Sequence, residues 1–170
     1  MRAVKDNLDR FAAQLWDERQ ELVLLVYRLT VVRLLILANE RRFVVDALED
    51  VAVALDRVRM TALQRDDSVR ELASLWETDP NDLTLPEVIR RAPTPYDHTL
   101  RDHLEAFRTL ADELETVATE NRVAGVAAME DVTKHLKYIT GEAAETPSTY
   151  DASGRVGPVT PVGSWLRETL

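Results

Sequence analysis

Residues 8–37 read LDRFAAQLWDERQELVLLVYRLTVVRLLIL, and the spacing of their apolar residues decides the fold class. Leu8, Phe11, Leu15, Leu22, Leu25, Leu29, Val32 and Ile36 recur in alternating steps of three and four, with Glu18 in the one skipped position. A strand would alternate with period two; this is the continuous apolar seam of a long helix. Neither glycine nor proline occurs in residues 1–79, so nothing there forces a break in the chain. A helix from about Val4 to Leu37 spans roughly 50 Å at 1.5 Å per residue. Leu22–Leu37 is the most apolar stretch, but Arg28 and Arg33 interrupt it and it is shorter than the ~20 apolar residues of a membrane span. It is read as a helix in water.

Beyond it the seam changes phase. Val44, Leu48, Val51, Leu55, Val58, Ala62, then Arg65, then Val69, Leu72 and Trp76 form a second series, offset from the first by one residue more than a heptad. Asn39, which tolerates caps and left-handed conformations, marks a turn between two antiparallel helices, the second over about 41–77. The alternative is one uninterrupted helix with a phase slip.

Four prolines, at 80, 86, 93 and 95, exclude a normal helix over the connector 78–95. Leu85–Arg91 fits one or two helical turns with Pro86 at the first helical position, and Leu83, Leu85, Val88 and Ile89 call for burial. A third long helix, about 96–140, carries Leu100, Leu104, Phe107, Ala111, Leu114, Ala118, Ala128, Val132 and Ile139, with Asn121, Gly125 and His135 at heptad positions and Gly141 as its stop. The expected fold is all-α: an antiparallel bundle or coiled coil of three long helices in one domain, 1–140, with a short Pro-rich helical connector. Residues 141–170 hold four of the five glycines and three prolines without an apolar period, and are expected to form a flexible tail.

Composition narrows the chemistry. The 170 residues carry a net charge of −9 and no cysteine. The first argues against phosphate-backbone binding, and hence nucleic acid; the second removes disulfides, thiolate metal sites and a Cys nucleophile. With no leader and no membrane insertion read in the sequence, a cytoplasmic location is expected. His98 and His103 are five apart, which does not match the helical metal pair at i, i+4, and their segment reads as a capped, solvated helix start; a phosphorelay histidine there has no local support. His135 reads as a packed seam residue. Arg90-Arg91 suits a helix C-terminus better than an anion clamp. No phosphate loop, nucleophile elbow or di-iron motif occurs, so catalytic residues, cofactors and metals are all expected to be none.

Two stretches are more distinctive. The connector reads Leu83-Thr84-Leu85-Pro86-Glu87-Val88-Ile89-Arg90-Arg91-Ala92-Pro93-Thr94-Pro95-Tyr96, and the tail includes Pro147-Ser148-Thr149-Tyr150-Asp151-Ala152-Ser153-Gly154-Arg155. A long-helix hairpin, this connector, a third helix with Asn121 in its middle and a Tyr-Asp-x-x-Gly exit together resemble the FlgN family, chaperones of flagellar type III export. The resemblance covers about residues 5–155. It implies a cytoplasmic chaperone that binds the terminal helical segments of the two hook–filament junction proteins (FlgK and FlgL type) and prevents their premature assembly. It further implies delivery to the cytoplasmic domain of the export gate (FlhA type), with Tyr150, Asp151 and Gly154 at the docking motif. Tyr150 packing back on the bundle is the plainer alternative.

Independently of the resemblance, the third helix offers small residues where a partner helix can approach. Leu114, Ala118, Asn121, Gly125, Ala128 and Val132 are therefore the candidate substrate-binding positions. The same small residues would equally let this helix pack tightly on the other two. The competing function is a structural or signalling coiled-coil bundle that homodimerises through its seams; a monomer or a homodimer is compatible with the chaperone.

Overall fold

The computed structural model describes residues 2–140, with side chains described through Leu136. The tail positions Tyr150, Asp151 and Gly154, and the expectation of a flexible tail, lie outside the described residues. The fold is an all-α bundle, with no strand among the described residues. Its helices are α1 (Arg2–Leu37), α2 (Val44–Leu75), α3 (Leu85–Arg91) and α4 (Tyr96–Thr140). None of them is long and apolar enough to cross a membrane.

The seam of α1 goes inward: Leu8, Phe11, Leu15, Leu22, Leu25 and Val32 are all buried, and so is Glu18. α1 is the central helix. Both α2 and α4 pack along it and α3 packs on α4, whereas the backbones of α2 and α4 scarcely approach each other. At ~1.5–3 kcal/mol for each fully buried Leu or Phe, this shared seam is the principal source of cohesion.

Asn39 turns the chain as its tolerance for positive φ suggests. It sits at φ 58°, its N–H donates to the Ile36 carbonyl, and the Glu40 N–H donates to that of Leu35, the paired bonds of a Schellman cap. A 3₁₀ turn, Arg41–Phe43, precedes α2, which therefore begins at Val44, the first residue of its apolar series, and not at about 41. The end of α2 repeats the device on a less suitable residue. Glu77 is at φ 52°, with its N–H bonded to Ser74 and that of Thr78 to Ala73.

The connector folds into a second 3₁₀ turn, Pro80–Asp82, capped by the Asp79 carboxylate, and then α3. Leu85, not Pro86, is the first residue of α3, because Thr84 takes the capping position. Leu83, Leu85, Val88 and Ile89 are all buried. Arg90 and Arg91 both bond back to Glu87 one turn earlier, which holds its carboxyl at about 2 and leaves neither guanidinium poised as an anion clamp.

Candidate functional site

Four contacts fix α4 against α1. The Tyr96 hydroxyl donates to Asp9 at 2.6 Å, Arg19 lies 3.4 Å from the His103 ring, Arg33 pairs with Glu120, and the Asn121 amide donates to the Leu29 carbonyl at 2.9 Å. Both helices climb together through these pairs, so they are parallel, and Leu37 at the end of α1 comes level with about Gly125 to Met129. Yet α4 runs on to Thr140. Its last 11–15 residues outrun α1, an overhang of roughly 20 Å at 1.5 Å per residue.

The six sequence-derived positions divide at that level. Leu114 is enclosed in the core, and Asn121 is committed to α1 while also bonding the Val117 carbonyl of its own helix. These two belong to the α1–α4 interface, because α1 occupies the groove the sequence left open there. Ala118 is half-buried beside them. Gly125, Ala128 and Val132 are half-buried at the end of α1 and beyond it, and a Cβ added at Gly125 would meet no atom within 4 Å.

Around them the overhang is apolar on more than the seam. Val123-Ala124-Gly125-Val126-Ala127-Ala128-Met129 contains no polar side chain. Among the described residues Ala124 is the last buried one of α4, while Val123, Val126 and Met129 are 63%, 55% and 67% exposed. A helix apolar around its whole circumference normally lies in a core. This one projects into solvent.

The same overhang settles the histidines. His135 lies past the end of α1 and is exposed, its ring nitrogen 2.8 Å from the Asp131 carbonyl, so it is not a packed seam residue. His103 is the reverse case. The first turns of α4 press on α1, so this ring is buried beside Arg19, and burial together with Arg19 lowers its pKa. Among the described residues no cluster of His, Asp and Glu could hold a metal ion.

One buried charged layer crosses the hairpin. Glu18 and Arg65, the two interruptions of the heptad seams, meet at 3.2 Å with Glu18 fully buried. Burial pushes the Glu18 carboxyl up to about 7 against the pull of Arg65, and Asp66, which shares the guanidinium at 3.4 Å, pushes the same way. Beside the pair, Phe11, Leu15, Arg65, Val69, Leu83 and Leu85 border a cavity of about 260 Å³ beneath the connector. Its buried cation is already shared between two carboxylates, so the layer presents no free cation for an anionic ligand.

A second exposed surface was not foreseen: Trp16, Val23, Tyr27 and Leu34 form a stripe along α1, away from its buried seam. The usable signal was the all-round apolarity of Leu22–Leu37, of which the seam explains only part. The chain matches no protein-family model, no curated protein and no solved structure.

Proposed function

We propose that the chain is a FlgN-type export chaperone, which holds the terminal helical segments of hook–filament junction proteins and delivers them to the export gate without chemistry or cofactor. The observation that carries this reading is the α4 overhang, an apolar helix end that outlasts the helix covering it. An amphipathic helix laid in the line of α1 would cover Gly125, Ala128, Met129 and Val132, with Gly125 permitting close approach. The connector and exit motifs supply the identity of the substrate by resemblance, and Tyr150, Asp151 and Gly154 are assigned to gate docking on the same ground.

Co-purification of the full chain with the C-terminal segment of a junction protein tests this. Binding is expected, and Ala128→Asp or Met129→Asp should abolish it, because an unpaired charge would have to be desolvated, while helicity stays unchanged at these incompletely buried positions. Tyr150→Ala should keep junction-protein binding and lose the gate. Absence of binding by the unaltered chain, or binding indifferent to both aspartates, refutes the reading.

A further inference from the structure

We propose that α1 is a dimerisation helix, on which the stripe Trp16, Val23, Tyr27 and Leu34 is covered by the same stripe of a second copy running antiparallel. The inference is independent of the chaperone reading, since it uses a different helix and face.

The stripe is a second heptad series on the same helix as the buried seam. Trp16, Gln20, Val23, Tyr27, Thr30 and Leu34 follow steps of four, three, four, three and four. That order is unchanged on reversal about residue 25, as an isologous antiparallel pair requires. The pairing then sets Trp16 opposite Leu34 and Val23 opposite Tyr27, large against smaller in each layer. The only two polar members, Gln20 and Thr30, face each other. Thr30 donates its hydroxyl proton to the Val26 carbonyl, which leaves its lone pairs free to accept from the Gln20 amide of the other copy.

Charge permits the contact. From Val23 to Leu34 the only charged side chains on α1 are Arg28 and Arg33, held by Asp50 on α2 and Glu120 on α4. Arg19 lies over the Trp16 ring at 5.4 Å. The Val23–Leu34 part of the face is therefore locally neutral, so the −9 of each copy is not concentrated on it.

The area is sufficient. Trp16, Val23, Tyr27 and Leu34 are 53%, 51%, 63% and 56% exposed. With side chains of roughly 150–250 Å² they offer on the order of 450 Å² per copy. With the flanking Gln20, Thr30 and Leu37, full coverage of the face on two copies would bury up to ~1,200 Å², the lower end of the range for specific interfaces.

Sedimentation equilibrium of the full chain at about 1–100 μM should show twice the 19.3 kDa chain mass, and Tyr27→Glu should give the monomer with unchanged helicity. The chain has no cysteine, so orientation can be read by disulfide formation. The double variant Gln20→Cys with Thr30→Cys should cross-link two chains, and either single variant should not. Met129→Asp should leave the dimer intact. A monomer throughout the range, a dimer that survives Tyr27→Glu, or cross-linking by Gln20→Cys alone would each overturn the proposal; the first would leave the stripe to a different protein.

Discussion

Replacing Glu18 by Gln tests how a carboxyl is carried in the middle of an apolar seam. Its folded-state pKa is raised from 4.5 to about 7, chiefly by burial. Between those values the folded chain retains a proton that the unfolded chain has lost. Stability conferred by the neutral carboxyl is thus full below pH 4.5 and is lost as pH rises through 7. At 1.36 kcal/mol per unit, the shift corresponds to about 3 kcal/mol. Glutamine imitates the protonated form at every pH. The variant should therefore match the parent within ~1 kcal/mol near pH 4.5 and exceed it by about 3 kcal/mol near pH 8, or roughly 10 °C in Tm for a chain of this size.

Urea unfolding followed by far-UV circular dichroism, for both proteins across that pH range, gives the difference directly. The difference matters more than either profile, since other groups titrate identically in both. Arg65→Met supplies the complementary case. It strips the buried carboxylate of its partner and should cost about 3–5 kcal/mol near pH 8, with the loss shrinking toward pH 5. If the Glu18→Gln and parent curves run parallel, or the variant is the weaker near pH 8, the ion pair is net stabilising and the burial argument fails.

Glu77→Gly should raise Tm by a few degrees, corresponding to about 1 kcal/mol, because Glu77 closes α2 at φ 52° where glycine carries no Cβ penalty; an unchanged or lower Tm would mean that the Glu77 side chain stabilises the cap in some other way. His103→Leu should flatten the acid limb of the stability profile. The buried ring has a lowered pKa, so below about pH 6.5 the unfolded chain binds the proton first and the folded state loses ground, an effect that leucine removes. A limb of unchanged slope in the variant would count against it.

Much of the bundle was legible because each long helix buries a seam at heptad spacing. Asn39 was legible as a turn for the same local reason that it adopts positive φ. The Glu18–Arg65 pair stood in the sequence as two separate interruptions. A hairpin turning at Asn39 sets Glu18 level with about residue 60, five short of Arg65, so simple register counting does not pair them; the 3₁₀ turn before α2 and the length of the arginine side chain bring them together. The candidate site was legible only in part. Heptad spacing marks which side of α4 seeks a neighbour, but not where that neighbour ends. Leu114 and His103 consequently lie under α1, while Val132 and His135 lie beyond it, although all four sit on one helix.

The residues that periodicity discarded are the ones that point outward. A seam needs one apolar residue in every three or four; α1 from Leu22 to Leu37 and α4 from Val123 to Met129 supply far more than that. Among the described residues, α2 and α4 are the long helices that cover α1, which carries three apolar sectors, and α1 itself stops at Leu37, short of the end of α4. Exposed apolar area left by that shortfall weakens the case for an isolated protein, since at ~25 cal/mol per Å² its burial is a standing source of association free energy. The two surfaces differ in a way that assigns them. The α1 stripe is long, aromatic and matched to its own reverse, which favours a partner of identical sequence. The α4 overhang is short, built on glycine and alanine and open along one line, which favours a single foreign helix laid where α1 stops.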